Sequence, residues 1–215
     1  AADTRYVNAS GDSVTGELLV RRARSNTAGD AALTIHPSDT TVSYGMRIDQ
    51  NTNSLNFDQV NNNTTKMSID TSGRVTMPNQ PSMSGRAIRP ISTSGYVSLN
   101  VNLYLDDLQH NIGNHWNNST GVWTCPVAGR YWVFVSILMD DNTSSAELAR
   151  YEIKKNGSEF FRGYDQSYNS GSTYGGMIAS GGIFNCSAND TITIVGTHGK
   201  LHAGAESNFT ICLLS

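Results

Sequence analysis

Hydrophobic and polar positions fall into three rhythms along this chain. Over residues 96–105, "YVSLNVNLYL", Val97, Leu99, Val101, Leu103 and Leu105 alternate with Ser98, Asn100 and Asn102. Strand side chains point alternately to opposite faces, so this stretch predicts a half-exposed sandwich strand. Over residues 131–139 both faces are apolar: Tyr131, Val133, Val135, Ile137 and Met139 on one, Trp132, Phe134, Ser136 and Leu138 on the other. Residues 208–214 repeat the peculiarity, with Phe209, Ile211 and Leu213 opposing Thr210, Cys212 and Leu214. Such strands need cover on both sides. They are predicted to be neighbours in one sheet, with one face in a sandwich core and the other against a second copy of the chain, because a monomer does not normally expose so large a patch. Periodicity leaves open which face is which. The set Tyr131, Val133, Val135, Phe209, Ile211 and Leu213 is the one assigned to the contact between copies.

The third rhythm occupies residues 1–80. Short apolar bursts ("ELLV", "AALTI", "YGMRID", "SLNF", "KMSID", "RVTM") are separated by turn signals such as "NTAGD", "NTNS" and "DTSG". Each burst alone buries little, so this segment is either disordered or shares its core with other chains. The proline-bearing "MPNQPSMSG", residues 77–85, reads as a linker. The expected division is therefore residues 1–82, a linker at 83–95, and a sandwich domain at 96–215. Within that domain "RYEIKKNG" predicts a strand entering an Asn156-Gly157 hairpin turn, with a helix over 145–155 as the competing reading.

Composition supports an all-β chain. The 215 residues are rich in asparagine and carry 20 glycines, residues that disfavour helix and favour tight turns. The net charge of -3, without a basic run, argues against nucleic-acid binding through neutralised phosphates. No segment approaches the roughly 20 apolar residues of a membrane helix, so membrane insertion is not expected. Cys125, Cys186 and Cys212 fit no zinc or redox spacing and read as small buried hydrophobes. The doublets Asp106-Asp107 and Asp140-Asp141 place neighbouring carboxylates on opposite strand faces, unlike a convergent glycosidase pair. His198 and His202 lie about 13 Å apart on an extended strand, too far to share an ion within one chain. The stretch "DDNTSS", residues 140–145, lacks the alternating acidic spacing of a calcium loop. No catalytic, metal or cofactor site is assigned.

Several motifs resemble known families. "HWNNSTGVWTCPVAGRYWVFVSI" (115–137), "YEIKKNG" (151–157), "ASGGIFNCSANDTITIV" (179–195) and "ESNFTICLL" (206–214) resemble, in order, the motifs of the complement C1q and tumour-necrosis-factor-like heads. Two departures are Asn189 before Asp190, where glycine is usual, and Ile211, where glycine is common. The resemblance implies a jelly-roll β-sandwich assembled as a compact homotrimer with one sheet of each chain around the three-fold axis. Upstream, "YVNASGDSVTGELLV" (6–20), "YGMRIDQNTNSLNF" (44–57) and "MSIDTSGRVTMPNQPS" (67–82) resemble bacteriophage tail fibres. That implies a short-stranded, intertwined trimeric collar whose chains pool their apolar bursts.

Together the two resemblances imply a non-catalytic receptor-binding tip, located on the virion at the end of a tail fibre. Its partners are two sister chains, upstream fibre or baseplate parts, and a glycan or outer-membrane protein of the host bacterium. The candidate docking loop is "FRGYDQSYNSGSTYGG", residues 161–176, in which Tyr164, Asp165, Tyr168, Asn169 and Tyr174 combine rigid aromatic area with adaptable hydrogen bonding. "THGKLHAGAES", residues 197–207, is a second candidate loop. A tailspike-type polysaccharide depolymerase and a secreted bacterial adhesin with a C1q-like head are the alternative functions.

Overall fold

The computed structural model describes residues 31–35, 44–49, 51–59, 64–90, 95–139, 147–167, 176–202 and 204–215. No helix occurs among them. The chain divides into two compact units, Ala1–Pro78 and Asn79–Ser215.

In the first unit, β1 (Ala31–Ile35), β2 (Tyr44–Ile48), β3 (Leu55–Gln59), β4 (Thr64–Ile69) and β5 (Val75–Thr76) form one sheet in sequence order, each antiparallel to the next. Two of its hairpins are copies of one design. Met46, Ile48 and Asp49 recur as Met67, Ile69 and Asp70. Asp49 Oδ1 accepts the N–H of Asn51 at 2.9 Å and of Thr52 at 3.2 Å, and Asn53 turns the chain at φ 55. Asp70 Oδ1 accepts the N–H of Ser72 and Arg74, both at 2.9 Å, and Gly73 turns it at φ 78. These backbone hydrogen bonds hold both carboxyls below their ordinary value. Each strand pairs with its sequence neighbour, and the described turns at 49–54 and 70–74 join β2 to β3 and β4 to β5. The "ELLV" burst and the "GDSVTGEL" motif lie outside the described residues.

The second unit is a two-sheet sandwich, as the pattern predicts. It comprises β6 (Ser82–Arg89), β7 (Tyr104–Ile112), β8 (Trp116–Asn117), β9 (Val122–Thr124), β10 (Gly129–Met139), β11 (Glu147–Lys155), β12 (Ser158–Ser167), β13 (Met177–Cys186), β14 (Thr191–His198), β15 (Leu201–His202) and β16 (Asn208–Leu213). One sheet runs β13-β10-β16-β6-β7, with β15 against the end of β10; the other runs β12-β11-β14-β9-β8. Between them Met83, Leu105, Val133, Ile137, Phe184, Phe209 and Ile211 of the β10 sheet meet Trp123, Tyr151, Ile153, Ile192 and Ile194 of the β11 sheet, all buried.

Two expectations are corrected. Residues 83–95 are not a linker, since β6 lies inside the β10 sheet between β16 and β7, and the boundary falls at Pro78. Gly85, inside this stretch, is required by packing: a Cβ there would press on Leu105 and on the Asp107 carbonyl at 2.9 Å. Residues 96–105 are not one alternating strand. Asn100 adopts φ 61, which breaks the alternation, so Val97 and Leu103 are buried while Leu99 and Val101 are exposed. The hairpin reading of residues 150–157 holds, and β11 replaces the competing helix. Asn156 and Gly157 adopt φ 50 and 79, as a tight hairpin turn requires. Asn189, which stands where glycine is usual, has φ 70, a conformation asparagine tolerates better than other side chains.

Asp190 ties two turns together. Its oxygens accept from Asn156 Nδ2 at 2.8 Å and from the Ser187 N–H at 2.8 Å, and Lys155 Nζ lies at 3.0 Å. These partners pull its carboxyl down to about 2 from 3.8. A depressed carboxyl stabilises the fold above its unfolded value and loses that contribution as pH falls through the folded one. Asp190→Asn is therefore expected to lower the melting temperature at pH 7 and to match the parent near pH 2. An equal gap at both pH values would refute the role of this ionised carboxylate.

Candidate functional site

The outward face of the β10 sheet presents apolar area left exposed among the described residues. Register pairs Trp132 with Ile183 and Cys212, Phe134 with Gly181 and Thr210, Ser136 with Ala179 and Asn208, and Leu138 with Met177. Alternation turns these residues outward. Trp132 is 40% and Ile183 52% exposed, Met177 is comparably open, and Phe134 and Leu138 are half-buried. Toward β6 and β7 the face becomes polar. Ser84 and Thr210 hydroxyls meet at 2.9 Å, Thr210 donates to Asn208 Oδ1 at 3.2 Å, and Arg86 pairs with Asp107 at 2.8 Å.

The residues assigned to the contact between copies point the other way. Tyr131, Val133, Val135, Phe209 and Ile211 are fully buried inside the sandwich, and Leu213 packs at its margin. The first five have no surface left to offer a second chain in this fold. The strands themselves are neighbours as predicted, with Tyr131–Ser136 paired to Leu213–Asn208. The face was readable: Ser136, Thr210 and Asn208 interrupt the even-numbered set, whereas the odd-numbered set is unbroken by polar side chains. Trp132, Ile183 and Met177, exposed on the outward face, are absent from the set assigned from the sequence.

The outward face of the β11 sheet is charged instead. Arg150 pairs with Glu152 and with Glu159 at 3.0 Å, Lys154 reaches Glu152 at 3.3 Å, and Arg162 pairs with Glu159. Burial opposes ionisation of Glu152, but the hydrogen bond and charge of Lys154 and those of Arg150 outweigh it, so its carboxyl sits below the ordinary value. Of the candidate docking residues, Tyr164 is placed on this face opposite Arg150 and is 66% exposed. Asp165 lies in β12 opposite Ala149. Tyr168, Asn169 and Tyr174 lie outside the described residues, as does the "DDNTSS" stretch.

Among the described residues, the Asp106-Asp107 doublet and the cysteines are otherwise engaged. Asp106 pairs with Arg89 and Asp107 with Arg86. Burial, reinforced by the adjacent Cys186 thiol, pushes the Cys125 thiol up to about 12, and burial also raises Cys186 and Cys212. Such thiols stay protonated near neutral pH and make poor nucleophiles. Among the described residues no three His, Cys, Asp or Glu side chains converge as a metal site.

Residues 92–189 match the family model described as the C1q domain. Similar solved structures include the globular domain of zebrafish complement 1qA, at 16% identity over 63% of this chain and 98% of that one with a TM-score of 0.46. Murine APRIL is 14% identical over 63% of this chain and 99% of that one, TM-score 0.46. Eiger TNF from S. frugiperda is 16% identical over 64% and 94%, TM-score 0.47. No curated protein matches the sequence. Over residues 92–189 the second unit thus resembles the C1q domain, and its two all-β sheets form a jelly-roll-like sandwich.

Proposed function

We propose that this protein is the receptor-binding tip of a bacteriophage tail fibre. It is a homotrimer whose jelly-roll heads dock, without chemistry, on a glycan or outer-membrane protein of the host bacterium. The observation that carries the self-association is the outward face of the β10 sheet, where Trp132, Ile183 and Met177 are exposed together. A contiguous apolar face of that kind marks an interaction site. The fibre assignment rests on "GDSVTGELLV", residues 11–20, and the related stretches before residue 82. In this reading residues 1–78 join the head to upstream fibre or baseplate parts, and the tip resides on the virion. The charged face of the β11 sheet, with Tyr164 on it, is the part that meets the host in this reading.

The experiment is competition. Purified protein added to host cells is expected to block phage adsorption. The Tyr164→Ala, Tyr168→Ala, Tyr174→Ala variant is expected to lose that competition by at least about tenfold, the cost of one well-seated aromatic contact, while keeping its mass and melting temperature. Undiminished competition by the variant would move the docking site elsewhere. A clearing halo on capsulated cells would establish the depolymerase alternative instead.

A further inference from the structure

Cys125 and Cys186 are distant in sequence and meet at one end of the sandwich. Cys125 follows β9 of the β11 sheet, and Cys186 ends β13 of the β10 sheet. A short turn brings the second to the first. The Asp190 N–H donates to the Ser187 carbonyl at 3.2 Å and the Ser187 N–H to Asp190 Oδ2 at 2.8 Å, so the chain doubles back immediately after Cys186. Cys125 pairs with the far arm of that turn. Its N–H donates to the Asp190 carbonyl and its carbonyl accepts from the Asn189 N–H, both at 2.8 Å. On its other side Cys186 stands opposite Gly129, the first residue of β10. The two thiols hydrogen-bond each other inside the core, Cys125 at 0% and Cys186 at 7% exposure. Two polar groups converge on them. The Trp123 indole N–H is buried, has no oxygen or nitrogen acceptor among the described residues, and reaches the Cys125 sulfur. The Lys155 ammonium, held by Asp190 at 3.0 Å, acts on the Cys186 sulfur. Cys212 stands apart, half-buried in β16 beside Trp132.

We propose that Cys125 and Cys186 are a covalent modification site: a small disulfide such as oxidised glutathione closes them into an intrachain disulfide that staples the β11 sheet to the β10 sheet. The inference is independent of what the head docks on. The step balances. Cys186 loses its proton to solvent, and its sulfur attacks one sulfur of the small disulfide, breaking that S–S bond and releasing one thiol. Cys125 then loses its proton, and its sulfur attacks the Cys186 sulfur of the mixed disulfide, releasing the second thiol. Two electrons pass from the cysteine pair to the small disulfide. Cys186 attacks first because it keeps some exposure and the Lys155 charge favours its anion. The Trp123 N–H steadies the Cys125 anion in the second exchange. Burial keeps both thiols protonated in the finished sandwich, so the bond closes while the chain folds, before the turn seals the pair. The loop it closes runs from Cys125 to Cys186 and contains β10, β11, β12 and β13. Tying its ends removes much of the freedom of the unfolded chain, which stabilises the fold. The wide spacing of the two residues is what hides the site in the sequence.

The test refolds the full chain from denaturant in a mixture of reduced and oxidised glutathione and maps the thiols by peptide mass spectrometry. The expected product is a chain two hydrogen atoms lighter, cross-linked between Cys125 and Cys186, with Cys212 outside the bond. Its melting temperature is expected to exceed that of the reduced chain by at least about 5 °C. Dithiothreitol should remove the gain, and Cys125→Ala and Cys186→Ala should each lack it. Exposure alone predicts the opposite pattern, because Cys212 is the most open of the three. Glutathione on Cys212 beside free thiols at Cys125 and Cys186 would overturn the proposal. So would a cross-link that uses Cys212, or a 125–186 bond that leaves the melting temperature unchanged or lowers it. The mapping is done on the parent chain, so the result stands even where a variant fails to fold.

Discussion

The double variant Trp132→Asp, Ile183→Asp is expected to run as a single folded chain, and the parent is expected to run as a trimer. The two residues sit side by side in the β10–β13 ladder and project outward from the sandwich. Each leaves about half of its side chain in water. Covering the open part of a tryptophan removes about 100 Å², worth about 2–3 kcal/mol at 25 cal/mol per Å². A carboxylate in the same place loses that and adds the cost of burying an unpaired charge, on the order of 3–5 kcal/mol per chain. Each 1.4 kcal/mol is a tenfold change, so assembly should weaken by at least about a hundredfold. Light scattering at micromolar concentration reads the mass. Far-ultraviolet circular dichroism reads the fold, which should survive because Tyr131, Val133, Val135 and Phe184 fill the core from the other face. A variant that remains trimeric would show that copies do not meet through this sheet. The single change Tyr131→Asp provides the contrast. It strikes the sandwich core and should unfold the chain rather than dissociate it.

What the sequence disclosed and what it hid follow from the same physics. The adjacency of residues 131–136 and 208–213 was legible because two-faced strands must share a covered sheet, and the ladder pairs them residue by residue. The hairpin at Asn156-Gly157 was legible because few dipeptides other than Asn-Gly take left-handed turns cheaply. The direction of the two faces was misassigned although Ser136 and Thr210 marked the outer one: in a two-faced strand the weight of apolar residues masks a few small polar ones. Residues 82–89 were illegible as a strand. Gly85 is small there because Leu105 and the Asp107 backbone press on it, and that contact comes from a strand some twenty residues away in sequence. The break at Asn100 is a single left-handed residue inside an otherwise clean alternation, which periodicity cannot register. The paired frames Met46-Ile48-Asp49 and Met67-Ile69-Asp70 were present in the sequence, but unequal turn lengths obscured the repeat. Of the docking candidates, only Tyr164 has a described, exposed side chain.

Gly163→Val is expected to cost the sandwich about 3–5 kcal/mol, the range of severe core overpacking combined with a broken buried hydrogen bond. Gly163 lies opposite Tyr151 in the β11–β12 ladder, and the tyrosine ring covers the place where a Cβ would stand. Tyr151 is fully buried and joins the two sheets. Its hydroxyl donates to the Val135 carbonyl of β10 at 2.9 Å and accepts from Ser180 Oγ of β13 at 3.0 Å. That burial pushes its phenol up to about 12, so it stays a donor across the working pH range. A valine at 163 expels the ring, empties its slot and leaves the Ser180 hydroxyl without its acceptor. Gly163→Ala does the same with less volume and should cost about 1–3 kcal/mol. Because both effects run through one ring, the losses should not add. Tyr151→Ala alone is expected to cost about 3–5 kcal/mol. Adding Gly163→Val to it should cost less than Gly163→Val costs the parent by about 1–3 kcal/mol, since the obstructing ring is gone. Urea denaturation of the four proteins measures the cycle. Strict additivity would mean that the glycine is there for the backbone of β12 and not for the tyrosine that bridges the sheets.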